Sequence, residues 1–561
     1  MTCAIIRSTM RRSCTLLLLV FLLALPSPLP AQSPVLPAHR ETSAQKHWRV
    51  SRSKELTKRI GALLDEGEAA RAFWGISILS LESGQPLYEI NADRLFTPAS
   101  NTKLFTTIAA MALLGPDYRF RTTVESAAPP DAEGRLHGDI VLVGRGDPNL
   151  SGRVLPYSQR TERLAPHLKP LEELADQVVA RGVKAVEGDV VGDDSYFADQ
   201  RYGEGWSQDD LMWSDGAPAS ALSVNDNVVF LSVFPGKSVG EKATVIFEPD
   251  VSYYEVDNRI TTAPVGEKRS IGLDRQPGSR VLTMWGAMPL DDTGYSEGLS
   301  VEEPAAYAAA AFRAMLERRG IVISGRQRAQ HTSTASLPLS ALNVETAVPQ
   351  ARGNGSDGGP TVPAALPARN VLAERISSPL IEDLRVVNKV SQNLHAETTL
   401  RSLGRQRTGL PSLEAALAAE RAIFDQAGIG RDEYVLFDGS GMSRQNLVTP
   451  HAVIRLLAFA AAASWAETFR STLPVSGIDG TLSDRLRGST TLGRVQAKTG
   501  TLGHVNALSG YTETQSGHPL AFAIFCNNHK LGPDGGRRVI DQIVRWMVED
   551  LPPTPRRRRK R

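Results

Sequence analysis

Hydrophobic and polar positions alternate with a period of two near the start of the chain. The alternation extends from Trp74 to Leu81, and a polar turn, Glu82 to Pro86, separates it from a second predicted strand, Leu87 to Ile90. Two such runs on either side of a short turn are typical of a β-hairpin.

A change to helical periodicity follows this hairpin. Thr97-Pro98-Ala99 opens a predicted helix that extends to Leu114, and Gly115-Pro116 ends it. The far end of the chain has the same texture, with predicted strands Val495–Lys498, His504–Tyr511 and Leu520–Cys526 and a final amphipathic helix Arg537–Asp550. Both ends therefore predict a sheet covered by helices.

The region between these ends has short alternating runs separated by Gly, Asp and Pro. From Tyr118 to Leu290 the predicted strands include Ile140–Val143, Gly188–Val191, Val228–Val233 and Ala243–Phe247. This texture predicts inserted β-rich domains at 123–295, followed by a helix from Pro304 to Arg319. The Gly-rich and Pro-rich stretch at 332–370 is typical of a flexible insertion.

The first 31 residues differ from the rest. Arg7, Arg11 and Arg12 precede an apolar run from Leu16 to Leu25, and Pro-rich residues ending in Ala31 follow. This order predicts a secretory signal peptide over residues 1–31. An uncleaved membrane anchor is the alternative, although the run is shorter than the roughly 20 residues that span a bilayer. Export through this signal predicts a periplasmic protein. A peripheral association of that protein with the membrane stays open.

Composition is that of a globular protein. The chain has 561 residues, 41% hydrophobic and 22% charged, with a net charge of +2, which predicts several domains and gives no sign of nucleic-acid binding. Cleavage of the predicted signal peptide would remove Cys3 and Cys14. Only Cys526 would then remain, so no internal disulfide is expected. Cys526 lies in an apolar predicted strand and is interpreted as a core residue.

A basic tail ends the chain. Residues 551–561 carry six consecutive positive charges after three prolines, which predicts a disordered arm. Such an arm can contact anionic lipid or wall polymer, each basic residue contributing roughly 1 kcal/mol near the surface. A solubilising tail without a partner is the alternative.

Three short motifs carry candidate chemistry, and Ser100-Asn101-Thr102-Lys103 is the first. Residues three apart share a helix face, and a desolvated lysine can take the proton of a serine hydroxyl. Ser43/Lys46 and Ser51/Lys54 have the same spacing in polar surroundings, whereas Ser100 opens an apolar helix. A capped helix with a solvated lysine is the structural alternative.

The other two motifs are Lys498-Thr499-Gly500, which occurs once, and Ser391-Gln392-Asn393. A cation and a hydroxyl at a predicted strand end can hold a carboxylate, and a glycine lets a substrate backbone approach closely. Ser223-Val224-Asn225 also has the Ser-x-Asn pattern, but Ser391 is preferred because it precedes Lys498 and lies outside the β-rich region.

In their order along the chain, the three motifs match a known set of active-site boxes. The sequence resembles the low-molecular-mass class C penicillin-binding proteins, a D-alanyl-D-alanine carboxypeptidase/endopeptidase family. The recurring segments of that family are similar to Gly146–Leu150, Gly188–Phe197, Ser220–Asn225, Asp438–Arg444 and Ser476–Thr481. The resemblance implies an α/β (α+β) fold in which a serine β-lactamase/transpeptidase-like domain, an antiparallel sheet flanked by helices, carries inserted β-rich domains. The catalytic domain would comprise 50–122 and 296–550.

The resemblance also implies roles for individual residues. Ser100 would be the acylated nucleophile, Lys103 its general base, and Ser391 the relay of a proton to the leaving group. Asn393 would bind the substrate amide and orient Lys103. The remaining implied residues are Lys498, Thr499 and Thr501 for the terminal carboxylate, Gly500 for close approach, the backbone N–H groups of Ser100 and Thr501 for the oxyanion, and Asp193 and Arg444 near the peptide side chain.

Other site classes are disfavoured. Leu231 stands where a phosphate loop ending at Lys237-Ser238 needs its first glycine, and the histidines lack metal-ligand spacing, so no cofactor is expected. The predicted function is a serine peptidase that cleaves D-alanyl-D-alanine bonds of peptidoglycan stem peptides, with β-lactam antibiotics as inhibitors. Cleavage of D-alanyl-diaminopimelate crosslinks stays open. A β-lactamase-like hydrolase, disfavoured by the long insertion, and a non-catalytic penicillin sensor or wall-binding protein are the alternatives.

Overall fold

The structure is a computed structural model that describes residues 41–157, 166–345 and 369–549. Its helices are α1 (Ser43–Leu64), α2 (Thr102–Leu113), α3 (Lys169–Ala180), α4 (Pro304–Arg318), α5 (Leu380–Arg385), α6 (Asn393–Thr408), α7 (Leu413–Gln426), α8 (Pro450–Ala462), α9 (Ala466–Arg470) and α10 (Gly532–Val548). The predicted signal peptide, the basic tail and most of the predicted 332–370 insertion lie outside the described residues.

The strands fall along the chain as follows: β1 (Phe73–Ser80), β2 (Gln85–Ile90), β3 (Arg121–Ser126), β4 (Arg135–Leu136), β5 (Ile140–Val143), β6 (Asp147–Leu150), β7 (Ala185–Val186), β8 (Val190–Ala198), β9 (Leu222–Val224), β10 (Val228–Phe234), β11 (Thr244–Glu248), β12 (Glu255–Ala263), β13 (Ser270–Asp274), β14 (Val281–Pro289), β15 (Tyr295–Ser300), β16 (Val322–Ile323), β17 (Gln327–Thr332), β18 (Asn370–Ile376), β19 (Tyr434–Val435), β20 (Leu447–Val448), β21 (Val495–Leu502), β22 (Val505–Glu513) and β23 (Pro519–Asn527).

The central sheet joins the two ends of the chain. Its order is β2-β1-β23-β22-β21, and every neighbouring pair is antiparallel. Trp74 of β1 lies opposite Cys526 of β23, so the first hairpin pairs with strands from the far end of the sequence. The predicted fold, a mixed α/β protein with an antiparallel sheet flanked by helices, is confirmed.

Both faces of this sheet are covered. Ile524 of β23 packs in a cluster with residues of α1 and α10, whereas its neighbour Phe525 packs in a cluster with residues of α2 and α8. Burial on both faces explains why Leu520 to Cys526 is an unbroken apolar run rather than an alternating one. Each fully buried Leu, Ile or Phe side chain contributes roughly 1.5–3 kcal/mol, so this strand anchors both cores.

A second, mixed sheet has the order β17-β8-β5-β3-β18, and α3 and α4 pack in its core. Two three-stranded sheets, β11-β10-β15 and β12-β14-β13, share a smaller core around Leu231, Ile260 and Leu282. The second sheet unites strands from residues 121–198 with β17 and β18 from beyond residue 326. The domain limits of the sequence analysis stay a prediction.

Cys526 is fully buried in β23, and burial raises the pKa of its thiol to about 12. A thiol so hard to ionise is a poor nucleophile, which agrees with its interpretation as a core residue. In the described part of the chain, no helix combines the length and apolar character needed to cross a membrane.

Candidate active site

Ser100 lies at the entrance of α2, in a 3₁₀ turn formed by Ala99–Asn101. The three-residue spacing brings the Lys103 Nζ to 2.9 Å from the Ser100 Oγ, as the sequence predicted. Ser100 is half-buried, whereas Lys103 is fully buried. The preceding residue, Ala99, has a φ of 48°, a left-handed conformation that is strained for alanine. The turn therefore holds the partly exposed Ser100 hydroxyl against the fully buried Lys103 amine.

The Lys103 Nζ has two further partners, the Asn393 Oδ1 at 2.7 Å and the Ser440 backbone oxygen at 2.5 Å. Burial lowers the pKa of Lys103 to about 8, although the carboxylates of Asp438, Glu397 and Asp215 oppose the shift. A neutral amine has two N–H donors and one lone pair. If the donors serve Asn393 and Ser440, the lone pair points to the Ser100 hydroxyl and can accept its proton.

The low pKa of Lys103 predicts a pH dependence for acylation of Ser100 by penicillin. Below the pKa the ammonium cannot accept a proton, so we expect the acylation rate to rise with pH and to level off above about pH 8. Stopped-flow measurement of acylation from pH 6 to 10 tests this. The Lys103→Ala variant should lose about 100- to 10,000-fold of the plateau rate. Lys54→Ala, at the exposed lysine of the Ser51/Lys54 pattern, is the control and should keep the wild-type rate. A flat wild-type profile would contradict the assignment.

Ser391 and Asn393 lie at the junction between a π-helical turn, Val386–Val390, and α6. Ser391 has a φ of 67°, so it is itself in the left-handed region. Its Oγ accepts a hydrogen bond of 2.9 Å from the Lys498 Nζ, while Asn393 bonds to Lys103. π-helical turns are frequent at functional sites because they reposition a side chain within a helix. The junction thus brings Ser391 into contact with Lys498 and Asn393 into contact with Lys103.

A buried carboxylate from the inserted region supports this junction. Asp226, between β9 and β10, accepts a hydrogen bond of 3.1 Å from the Gln392 side chain, and Gln392 in turn caps α6. Asp226 also forms a salt bridge of 2.9 Å with Arg153, whose side chain is 6% exposed. Asp226 and its two neighbours, Asn225 and Asn227, all have φ values between 52° and 54°. Three consecutive left-handed residues are costly, and Asn and Asp tolerate this region better than most residues.

We expect Asp226→Ala to destabilise the protein by about 3–5 kcal/mol, because it leaves the Arg153 guanidinium buried without its carboxylate. Acylation by penicillin should slow as well, since Gln392 loses an anchor next to Ser391. Asp226→Asn, which keeps an acceptor and tolerates positive φ, should retain more of both properties. Urea unfolding and acylation rates measure the two effects. Asp257→Ala removes an exposed ion pair with Arg259 and is the control, for which we expect only a small loss of stability. An equally small loss of stability in Asp226→Ala would contradict the assignment.

Lys498, Thr499 and Gly500 lie inside β21, not at its end as the sequence predicted. The strand continues to Leu502 because its residues keep pairing with β22 as far as Val505. A Cβ on Gly500 would lie 2.7 Å from the Pro98 backbone oxygen, so only glycine allows this approach to the Ser100 turn. The Asn101 side chain donates a hydrogen bond of 3.2 Å to the Lys498 backbone oxygen and joins the turn to the strand.

The Lys498 Nζ is fully buried and donates to the Ser391 Oγ and to the Thr499 backbone oxygen, both at 2.9 Å. Burial lowers its pKa well below the ordinary value, and the nearby Lys103 lowers it further. An ammonium has three donors, so one N–H remains for an added acceptor. A carboxylate placed there would neutralise the charge and favour the protonated form of Lys498.

The two threonines of this strand differ in their partners. The Thr499 hydroxyl donates to the Thr481 hydroxyl at 2.8 Å, whereas the Thr501 hydroxyl accepts a hydrogen bond of 3.3 Å from Arg537 of α10. Arg537 therefore adds a positive charge beside the outer end of the motif, which composition and spacing did not indicate. The Thr501 hydroxyl, which accepts this bond, still has its own proton to donate, and the Thr499 hydroxyl can donate to a different acceptor if Thr481 becomes the donor of their bond.

Arg444 and Asp193, which the resemblance placed near the peptide side chain, lie in different surroundings. Arg444 is exposed, lies 3.8 Å from Asp210, and approaches the position of a Cβ on Gly503, two residues beyond Thr501. Asp193 is buried in β8, where its carboxylate accepts from the Ser195 N–H and the Gln330 side chain and lies 3.4 Å from Arg369. These contacts of Asp193 belong to the second sheet, and the structure does not join it to Ser100, Lys103 or Lys498.

Several groups of the site were missed by the sequence analysis. The Ser440 and Asp215 backbone oxygens bind Lys103 and Asn393, and a backbone oxygen has no signature in a sequence. Glu397, fully buried in α6, accepts hydrogen bonds of 2.9 Å from the backbone N–H groups of Gly439 and Ser440 and thereby holds the loop that carries the Ser440 oxygen. The spacing of Glu397 from Asn393, one helical turn, was the available signal.

Comparisons with known proteins agree with this geometry. The sequence profile of the D-Ala-D-Ala carboxypeptidase 3 (S13) family matches residues 56–345 and 356–550. The chain is 34% identical over 494 residues to a D-alanyl-D-alanine carboxypeptidase of Actinomadura sp. (strain R39), covering 86% of this chain and 82% of that protein. It is 26% identical over 462 residues to D-alanyl-D-alanine carboxypeptidase DacB of Haemophilus influenzae, covering 82% and 86%.

Solved structures lead to the same group. The crystal structure of penicillin binding protein 4 (dacB) from Haemophilus influenzae superposes with a TM-score of 0.70 at 25% identity, covering 88% of this chain and 98% of that one. Within the described residues no group of His, Cys, Asp and Glu side chains is arranged to hold a metal ion. The chain belongs to the D-Ala-D-Ala carboxypeptidase 3 (S13) family of serine peptidases.

Proposed function

We propose that this protein hydrolyses D-alanyl-D-alanine bonds at the ends of peptidoglycan stem peptides through an acyl-enzyme on Ser100. One observation carries the proposal: a buried, low-pKa Lys103 lies 2.9 Å from the Ser100 Oγ, and a second buried lysine lies 2.9 Å from the Ser391 Oγ. One amine acts on the nucleophile and the other on the leaving-group side. Relatives named D-alanyl-D-alanine carboxypeptidases support the choice of substrate.

The reaction begins with the neutral amine of Lys103. It accepts the Ser100 proton while Oγ attacks the carbonyl carbon of the penultimate D-alanine. The resulting oxyanion lies between the backbone N–H groups of Ser100 and Thr501, and such a donor contributes about 3–4 kcal/mol where it has been tested. The C–N bond then breaks, and the proton held by Lys103 reaches the leaving nitrogen through the Ser391 hydroxyl. Water attacks the ester with Lys103 again as base, which releases the peptide and restores Ser100.

The terminal carboxylate of the substrate binds to the remaining N–H of Lys498 and to the hydroxyls of Thr499 and Thr501. A bound carboxylate offsets the cost of a cation in this dry position, so the substrate completes the charge balance of the site. A β-lactam carries a carboxylate and a strained amide in a similar relation, and it acylates Ser100 by the same route. Arg444, which lies beside the outer end of β21 and 3.8 Å from Asp210, contacts the side chain of the stem peptide. The contact of Asp193 with the same side chain stays a prediction.

Digestion of purified, crosslinked peptidoglycan fragments tests the function, with products identified by mass. We expect the loss of one alanine from pentapeptides. Separation of crosslinked dimers into monomers would add cleavage of D-alanyl-diaminopimelate bonds to the activity. Intact fragments under conditions in which penicillin still acylates Ser100 would contradict the peptidase and favour a penicillin sensor. Release of hydrolysed penicillin at many turnovers per minute, with no peptide cleavage, would favour a β-lactamase.

We also propose export to the periplasm through residues 1–31 and contact of the 551–561 tail with an anionic surface. The six basic residues of the tail support this, since their attraction to anionic lipid adds along the segment. Co-sedimentation with vesicles that contain anionic lipid should decrease when the tail is removed and when salt is raised. Equal sedimentation of the full-length and truncated proteins would contradict the contact.

A further inference from the structure

Arg537 of α10 lies beside the outer end of β21, and the reaction described above gives it no role. Its Nη2 donates a hydrogen bond of 3.3 Å to the Thr501 Oγ1. Both groups are accessible to a ligand, since Thr501 is exposed and the Arg537 side chain is 39% exposed. The contact therefore lies on the open side of the site, where a substrate carboxylate can reach the hydroxyl.

The packing of α10 on the central sheet sets the position of Arg537. Asn506 of β22 lies opposite Thr501 of β21. A Cβ on Gly536, the residue before Arg537, would lie 2.3 Å from the Asn506 Oδ1, so a side chain there would displace the buried Asn506. Glycine thus allows α10 to pack closely on β22 at the residue that pairs with Thr501. This close packing brings Arg537 within reach of the Thr501 hydroxyl.

The direction of the hydrogen bond decides what the Thr501 hydroxyl can do. A hydroxyl has one proton and two lone pairs, whereas a guanidinium only donates. The Arg537 N–H occupies a lone pair of the Thr501 oxygen, so the Thr501 proton points away from Arg537 and is available to another acceptor. The Thr499 hydroxyl differs, because it donates to Thr481 at 2.8 Å. A hydroxyl that accepts from a cation is also a stronger donor, since hydrogen bonds in a chain polarise one another.

The charge of Arg537 is only weakly compensated. Among the described residues its carboxylate partner is Asp534, three residues earlier on α10, at 3.5 Å. Both side chains are exposed, and ion pairs of this kind are weak because water screens them. Arg537 therefore keeps a positive charge that faces an anion bound at Thr501.

We propose that Arg537 is a positioning residue for the terminal carboxylate of the substrate. By donating to the Thr501 oxygen, it turns the Thr501 proton toward the carboxylate, which also binds to Lys498. This role rests on the proposed function, because it requires that the carboxylate lies between Lys498 and Thr501. It makes α10, which lies outside the three motifs, a part of the structure that selects substrates with a free carboxylate.

Acylation by benzylpenicillin and by its methyl ester tests this role, because the two compounds differ only at the carboxylate. Loss of a hydrogen bond to a charged group predicts that Arg537→Ala acylates about tenfold more slowly with benzylpenicillin and about threefold more slowly or less with the ester. Stopped-flow measurements give the rates, and a melting curve shows that the variant is folded. An unchanged ratio of the two rates in the folded variant would overturn the proposal.

The outcome is separate from that of the peptidase test, because acylation does not require cleavage of a peptide. A protein that is acylated but cleaves no peptide would contradict the proposed function, whereas the ratio of the two acylation rates would still decide the role of Arg537. Absence of acylation in the wild type would overturn both.

Thr501→Val distinguishes positioning of the hydroxyl from a general attraction of anions. This variant removes the hydroxyl at nearly constant shape, and it should slow acylation by benzylpenicillin about tenfold as well. If Arg537 acts through Thr501, adding Arg537→Ala to Thr501→Val should change the rate by less than about twofold. Losses that multiply in the double variant would mean that Arg537 attracts the carboxylate independently, which would overturn the positioning role.

Arg538→Ala is the matched control. Arg538 is exposed and follows Arg537 on α10, but a helix turns by about 100° per residue, so its side chain points in another direction. We expect wild-type rates for both compounds in this variant. Equal losses in Arg538→Ala and Arg537→Ala would reduce the effect to net charge and overturn the proposal. Arg537→Lys keeps a charged donor without the planar fork and should recover a part of the lost rate.

Discussion

Replacing Ser100 with Ala should abolish covalent labelling by penicillin and lower peptidase turnover by a factor on the order of 10⁴ to 10⁶, as for other serine nucleophiles. The loss has a direct chemical cause, because no other hydroxyl is bonded to the Lys103 Nζ among its contacts, the Ser100 Oγ, the Asn393 Oδ1 and the Ser440 oxygen. Gel fluorography with a labelled penicillin and release of D-alanine measure the two activities.

Ser51→Ala is the matched control for this experiment. Ser51 has the same spacing to Lys54 as Ser100 has to Lys103, but it lies in α1 with an exposed lysine. Labelling and turnover should stay at the wild-type level in this variant. Labelling of Ser100→Ala near the wild-type level would remove Ser100 from its role, and a loss in Ser51→Ala would point to the amino-terminal helix instead.

The second large effect concerns Lys498 and the substrate carboxylate. Wild-type enzyme should prefer a peptide that ends in free D-alanine over the same peptide ending in D-alanine amide by about 100-fold or more, since leaving a buried charge unpaired costs about 3–5 kcal/mol. Lys498→Ala should lower activity on the free carboxylate strongly and on the amide much less, so that the preference collapses to within a few-fold. Values of kcat/KM for both peptides in both proteins measure it.

Lys498→Arg refines the interpretation. It keeps the charge but changes the geometry of the donors, so it should restore a part of the preference. A melting curve for each variant separates the loss of a binding group from the loss of fold, since Lys498 is fully buried in β21. An unchanged preference in a folded Lys498→Ala variant would mean that another group binds the carboxylate.

Local contacts of the site could be predicted from the sequence. The bond between Ser100 and Lys103 follows from their spacing on one helix face, and the burial of that face follows from the apolar residues after it. The central hairpin and the strand around Cys526 were likewise visible as alternating and apolar runs. What the pattern did not contain was the pairing of β1 with β23, because strand pairing between distant segments depends on the whole core.

Contacts between residues that are far apart in the sequence could not be predicted for this site. Lys498 was expected at the end of a strand, but pairing with β22 extends the strand past Thr499 and Gly500. The hydrogen bond of Asp226 to Gln392 joins two segments that only the fold brings together. Asp193 was placed near the substrate by resemblance, and the interactions of its carboxylate in the second sheet were not visible in its local sequence.

Peptide mapping of the penicillin-labelled wild-type protein identifies the acylated residue. Trypsin cleavage after Arg94 and Lys103 yields the peptide Leu95–Lys103, in which Ser100 is the one serine. We expect the label on this peptide, and fragmentation should place it on Ser100. A label on Val390–Arg401, the tryptic peptide that contains Ser391, or on any other peptide of the protein would contradict the assignment of Ser100 as the nucleophile.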